Sequence, residues 1–180
     1  KAIYRLSYVG PPTIFNITEV ERDRGPVARN SLVNVGSFGF YVGEEGFWSF
    51  SGSGSQQIGN QKVDRFFLND LDQNYIDRVY GAADPVSKMV YWAYAGQNNS
   101  DGQPNKVIIY NWGIDRWSTA EVTQEYMFRN LSVAVTLENL DSFGNLDALG
   151  VSLDDPSWIG GLTSLNSFNS DYKLCRFTGT

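Results

Sequence analysis

Apolar and polar positions alternate most clearly between Tyr80 and Val122, where four short β-type runs are separated by turn chemistry. Tyr80–Ala83 leads into Asp84-Pro85-Val86-Ser87-Lys88, in which proline fixes φ for a tight turn. Met89–Ala95 follows, with aromatic and β-branched residues that suit a pleated surface. Beyond a loop rich in Gly, Asn and Ser (Gly96–Asn105), Lys106–Asn111 and Arg116–Val122 flank Trp112-Gly113-Ile114-Asp115 as a second hairpin. Four antiparallel strands in about 43 residues is the size of one β-propeller blade.

The rest of the chain reads in the same idiom. Ala2–Val9 and Thr13–Val20 form a hairpin around Gly10-Pro11-Pro12, and Glu21–Pro26 is a charged loop. Ser31–Gly36, Phe38–Gly43 and Gly46–Ser51 are three short strands joined by Gly36-Ser37 and Glu44-Glu45, with Ser51–Ser55 polar and flexible after them. Val63, Phe66, Phe67, Leu71 and Tyr75 recur at helical spacing and predict a short amphipathic helix over Gln61–Asp77, connecting two blades. Past Val122 the pattern weakens. Arg129–Leu137 and Leu146–Leu153 are predicted strands around an Asn139–Asn145 turn, Asp154–Ser170 a long loop, and Tyr172–Phe177 a last strand. The fold expected is all-β, a propeller or propeller fragment of four-stranded antiparallel blades with a short helix between blades. Residues 1–60 are blade pieces, 61–78 the helical connector, 79–122 a complete blade, and 123–180 a degenerate blade with a long loop.

An internal repeat supports this division. Phe47-Trp48-Ser49-Phe50-Ser51-Gly52 aligns with Tyr91-Trp92-Ala93-Tyr94-Ala95-Gly96, and Leu174-Cys175-Arg176-Phe177-Thr178-Gly179 offers a third copy. The glycines lie 44 and then 83 residues apart, close to one and two periods of about 42, and the copy between the last two is degenerate near Val135–Leu140. Coincidence in an aromatic-rich β chain is the competing account.

Composition narrows the function classes. With 42 % apolar and 14 % aromatic residues over 180 positions, the chain can bury a sizeable core, and eighteen glycines suit many turns. The formal charge is −6 and basic residues are scattered, so there is no electrostatic footprint for gripping nucleic acid, and sequence-specific nucleic-acid binding is not expected. No run approaches the roughly 18 apolar residues of a membrane span. The chain opens on Lys1 and enters a strand directly, as expected of a piece of a longer polypeptide. Cys175, alone of its kind, cannot form an intrachain disulfide and reads as a buried thiol.

Catalytic and cofactor chemistry finds little purchase. The absence of histidine removes the usual triads and most zinc or iron sites, one cysteine removes thiolate cages, and no phosphate-cradling glycine motif is present, so neither an enzyme nor a cofactor is expected. Asp70-Leu71-Asp72-Gln73-Asn74 begins like a calcium loop, but Tyr75 stands where glycine is required and Gly81 where a bidentate Glu belongs, which excludes an EF-hand. A less regular calcium site on Asp70, Asp72 and Asp77 stays open against a plain helix C-terminal loop. Asp84, Asp115, Asp154 and Glu121 could serve as the paired carboxylates of a propeller glycosidase, though turn capping explains Asp84, Asp154 and Asp155 more simply. Trp48, Trp92, Trp112, Trp117 and Trp158 could stack on sugar rings as in lectin propellers. Trp92 and Trp117 fit blade packing better, which leaves Trp112 and Trp158 as the expected exposed pair.

One ordered set of residues points further. Tyr8-Val9-Gly10-Pro11-Pro12, Phe15, Arg24-Gly25, Ser31 with Val35-Gly36, Gly46-Phe47-Trp48-Ser49-Phe50-Ser51-Gly52, Ile58-Gly59, Lys62-Val63-Asp64-Arg65, Asp84-Pro85, Tyr91-Trp92-Ala93-Tyr94 and Asp115-Arg116-Trp117 succeed one another through residues 1–122. Weaker echoes occur at Leu153-Asp154-Asp155-Pro156 and at Phe168 and Phe177-Thr178-Gly179. In this order the chain resembles bacteriophage β-propeller tail proteins, the tail hub, nozzle and packaged-DNA stabilisation components of short-tailed phages. The resemblance implies a structural virion protein around or plugging the genome channel. It implies a ring of self-associated copies and contacts with neighbouring tail or portal-adaptor proteins. An acidic lumen would let DNA slide, because it repels phosphates that a basic one would hold through counterion release. Glu44, Glu45, Asp70, Asp72 and Asp77 are the candidate lumen residues, with ordinary solvated surface charge as the plainer account. Trp112, Trp158, Asp154 and Asp155 are the candidate interaction residues, the last three in a loop that assembly would bury.

Overall fold

The computed structural model describes residues 2–131, 152, 160, 161 and 163–177, which form four antiparallel sheets. β1 (Ala2–Tyr8) and β2 (Phe15–Arg22) make a separate hairpin. β3 (Val33–Val35), β4 (Phe38–Gly43), β5 (Gly46–Phe50) and β6 (Ser55–Gln57) form a first meander, preceded by a 3-10 turn at Arg29–Ser31. Helix α1 (Lys62–Asp70) and a 3-10 helix at Gln73–Arg78 lead to a second meander of β7 (Tyr80–Asp84), β8 (Met89–Tyr94), β9 (Lys106–Asn111) and β10 (Arg116–Glu121). β11 (Gln124–Leu131), β12 (Thr163–Asn169) and β13 (Leu174–Arg176) form a third sheet of three described strands in the same sequential order.

The second meander explains the apolar runs that announced it. Val90, Trp92 and Tyr94 of β8 and Ile108 and Tyr110 of β9 point to one side, where they join Phe40, Val42 and Phe47 of the first sheet and Phe67 and Leu71 beneath α1. The alternate residues Tyr91, Ala93, Val107 and Ile109 point to the other side and pack with Met127 and Leu165 of the third sheet. Both faces of β8 and β9 are therefore covered by a neighbouring sheet, with Tyr91 and Ile109 only partly buried on the second. Aromatic rings set the spacing of the first interface: Phe47 lies 4.8 Å from each of Phe67, Trp92 and Trp117. The Trp92 Nε1–H crosses it to donate to the Ser31 carbonyl at 2.9 Å.

Several sequence-based expectations are corrected here. The segment after β5 was predicted to be loop, yet Ser55–Gln57 pairs with Trp48–Phe50 and completes four strands. The helix over Gln61–Asp77 is broken: Leu71 leaves helical geometry to bridge Gly96, and the Asp72 N–H goes to the Ala95 carbonyl at 3.0 Å. Asp154–Ser170 is not all loop, since β12 occupies Thr163–Asn169 and pairs with β11 and β13. Cys175 is exposed on β13. The repeat is out of phase, because Phe47–Gly52 runs through the third strand of its sheet and Tyr91–Gly96 through the second. Leu174–Arg176 shares the third position with the Phe47 copy. The predicted Leu146–Leu153 strand and the distal part of Arg129–Leu137 fall outside the described residues but for Ser152. No described helix is long and apolar enough to cross a membrane.

Candidate functional site

One end of the first two sheets concentrates the acidic positions. The β4–β5 turn carries Glu44 and Glu45, and α1 crosses from there to the β8–β9 loop, held by the Leu71–Gly96 bridge and the Gln97 N–H to Asp70 carbonyl bond of 2.8 Å. Glu44 shares a cavity with Leu68, Leu71, Gln73 and Ile76, which puts the turn and both helices at the same end. Asp77 joins Asp101 and Glu125 around an open depression of about 530 Å³, with Asn30, Arg78, Tyr80, Gln103 and Pro104. The basic side chains Lys62, Arg65, Arg78 and Lys106 belong to the same elements.

The five candidate lumen carboxylates do different work within that end. Asp70 is tied up: Lys106 Nζ donates to its two oxygens at 2.7 and 2.9 Å, and the Tyr94 hydroxyl donates at 2.9 Å. Burial, then the Asp70 bond, pushes the Tyr94 phenol above its usual range. Asp72 caps the following turn by accepting from the Asn74 N–H at 2.9 Å. Glu44 and Glu45 line a second cavity with Asp23, Arg24, Tyr41 and Trp48. Asp70, Asp72 and Asp77 form no group able to hold a metal ion among the described residues, so the irregular calcium site is not assembled. Asp84 and Glu121 stand at opposite ends of the second meander, since Asp84 faces Met89 and Glu121 faces Lys106. Asp84 caps its turn through the Val86 N–H at 3.0 Å, and Asp115 accepts from the Tyr110 hydroxyl at 3.1 Å. Burial and that bond push the Tyr110 phenol up to about 12.

The tryptophans face inward. Trp92 is fully buried, Trp48 nearly so beneath the Arg24 guanidinium at 4.6 Å, and Trp117 stacks on Trp92 at 6.0 Å. Trp112 was expected to be exposed. It is half-buried instead, stacked on Phe40 at 5.6 Å, because its N–H to Lys88 carbonyl bond of 3.1 Å folds the β9–β10 turn back over the first interface. Trp158, Asp154 and Asp155 lie outside the described residues.

Asp64 entered the sequence reading only within the run Lys62-Val63-Asp64-Arg65, with no role of its own. It is 2 % exposed at the first turn of α1, and its carboxylate accepts from the Phe47 N–H at 2.9 Å, the Gln57 amide at 2.9 Å and the Gln61 N–H at 3.1 Å. Two glycines make room for it: a Cβ on Gly59 would sit 1.8 Å from Asp64 Oδ1, and one on Gly46 2.0 Å. This clasp fastens the connector to the first sheet and so places the acidic end. Its one local signal is the helix-start pattern Gln61-x-x-Asp64, in which both residues cap each other. No protein-family model matches the chain, and no curated protein matches it at the significance required of a relative.

Proposed function

We propose that the chain is a non-enzymatic structural component of a phage tail, built of propeller-type blades that surround or plug the channel for genome ejection, and therefore resident in the virion. The observation that carries this reading is the face-to-face stack of three sequential sheets, two of them four-stranded meanders, with β8 and β9 of the middle one covered on both sides. Blades of a propeller pack in this way. Glu44, Glu45, Asp77, Asp101 and Glu125 line the cavities of one end, and with Asp72 they outnumber the basic Arg24, Lys62, Arg65 and Arg78 there, which supports an orientation in which that end faces DNA, where net repulsion of phosphates keeps the genome mobile. Partners would be further copies in a ring and adjoining tail or portal-adaptor proteins. Two observations favour this reading over a lectin or a hydrolase: Trp112 stacks on Phe40, and Asp84 and Glu121 stand at opposite ends of the second meander.

Electron cryomicroscopy of the particle from which the chain comes tests the proposal. The expected result is blades arranged around an axial channel of DNA width, with the Glu44–Glu45 end turned toward the genome path. Particles lacking the chain, or isolated propellers with sugar density beside an open aromatic ring, would overturn it.

A further inference from the structure

The β1–β2 hairpin presents an apolar face that no described residue covers. Its register pairs Tyr4 with Glu19, Leu6 with Ile17 and Tyr8 with Phe15, which puts these six side chains on one side and Arg5, Ser7, Asn16 and Thr18 on the other. Tyr4, Leu6, Tyr8, Phe15 and Ile17 are 54–71 % exposed, whereas Val9 and Ile14, the next pair of the ladder, fall on the opposite side with Ser7 and Asn16. The hairpin is fastened at its base alone: Ser55 Oγ donates to the Glu21 carboxylate and accepts from the Tyr41 hydroxyl at 2.8 Å. A two-stranded ribbon needs a covering layer to be stable in water. At about 200 Å² for a fully exposed aromatic side chain and roughly 100 Å² for an aliphatic one, the five residues leave on the order of 500 Å² of apolar surface in water. A contiguous patch of that size is often functional.

We propose that this face docks on the same face of a second copy, about a two-fold axis passing near the Leu6/Ile17 pair. Such a rotation lays Leu6 and Ile17 on their own counterparts and sets the Tyr8/Phe15 end of one copy over the Tyr4/Glu19 end of the other, an isologous contact. The one charged group on the face is already neutralised for drying, since Glu19 takes the Arg22 Nε–H at 2.8 Å and the Tyr4 hydroxyl at 3.2 Å. The face therefore offers a charged partner nothing to pair with. A second copy supplies an apolar, matched surface and buries about 1,000 Å² in total, the least at which a specific interface is expected. The inference stands apart from the tail role: a ring is closed by head-to-tail contacts, whereas this contact joins molecules in pairs.

Sedimentation equilibrium of the full chain across micromolar concentrations tests it. The wild type is expected to dimerise, and Leu6→Asp or Ile17→Asp to weaken the dimer by at least about tenfold. Near-UV circular dichroism should stay unchanged, because both side chains are exposed. In a Cys175→Ser background, oxidised Leu6→Cys should cross-link into dimers and Arg5→Cys, on the opposite face, should not. A wild-type chain that stays monomeric overturns the proposal and leaves the face to another class of partner. Dimers indifferent to Leu6→Asp, or equal cross-linking at positions 5 and 6, overturn it as well. Should the aspartate variants unfold, the cysteine pair decides.

Discussion

Replacing Gly59 by alanine should destabilise the protein through Asp64, and removing Asp64 should cancel the damage. The added Cβ would lie 1.8 Å from Oδ1, 2.3 Å from Cγ and 2.6 Å from Oδ2 of Asp64, all atoms that alanine at 64 lacks. In the wild type the carboxylate must move, and the Phe47 N–H, Gln57 amide and Gln61 N–H lose their acceptor. Phe47 is fully buried, so its orphaned N–H alone costs about 1–3 kcal/mol. Gln57 can turn toward water and adds little. With overpacking of about 1–3 kcal/mol, Gly59→Ala should cost roughly 2–6 kcal/mol. Asp64→Ala alone should cost about 2–4 kcal/mol for the lost charge-assisted bonds. On that background Gly59→Ala should be neutral or stabilising by up to about 1 kcal/mol, through a stiffer unfolded chain. Gly46 is the control: a Cβ there also meets Asp64 Cβ at 2.6 Å, and its φ of +125° strains any side chain, so Gly46→Ala should stay costly whatever stands at 64. Urea unfolding followed by tryptophan fluorescence gives all the values needed. Costs for 59 and 64 that add to within about 0.5 kcal/mol would refute the clasp.

Three further outcomes are expected. Gly81→Ala places a Cβ 2.3 Å from Val33 Cγ2, where the first and second sheets approach, and should cost about 1–3 kcal/mol in chemical denaturation, relieved by Val33→Ala. Trp92→Phe removes the bond to the Ser31 carbonyl and leaves a cavity across the aromatic interface, for roughly 2–3 kcal/mol; an unchanged midpoint would argue against that bond. Alkaline pH should unfold the protein rather than titrate it smoothly. The buried phenols of Tyr94 and Tyr110 have raised folded-state values, so their stabilisation is complete below the unfolded value of 10.0 and is lost as pH climbs toward about 12, which phenolate absorbance beside circular dichroism would follow.

What the sequence revealed followed from where the packing signal is local. The second meander was legible strand by strand, because its β-branched and aromatic runs are punctuated by Asp84-Pro85 and Gly113, and its turns require only nearby residues. β6 was hidden because Ser55-Gln56-Gln57 has no strand propensity and is held by pairing with β5. β12 was hidden for the same reason: Thr163-Ser164-Leu165-Asn166-Ser167 reads as loop, yet its polar residues are buried against neighbouring strands. The helix break at Leu71 depends on Gly96, twenty-five positions away, and no helical periodicity could announce it. The repeat misled because an aromatic strand ending in glycine suits more than one place in an antiparallel meander, the third in the first sheet and the second in the next. Of the candidate site, the placement of Glu44 and Glu45 in a turn and of Asp72 and Asp77 after the helix was legible from local residues, whereas their gathering at one end depends on how α1 crosses between the sheets. The partners of Asp70 and Asp64 are long-range and stayed invisible.

The two-sided cover of β8 and β9 has a consequence for how the molecule comes apart. Strands that need a packed neighbour on each face expose both faces at once when cut free, so residues 79–122 expressed alone should fail to hold structure although they contain a whole meander. Each layer lends its neighbour the missing half of an interface, and the chain behaves as a short one-dimensional array in which coupling between adjacent units exceeds their intrinsic stability. Loss of either outer sheet should therefore propagate inward, and amide exchange in β8 and β9 should report the unfolding of the whole stack rather than of the sheet they belong to.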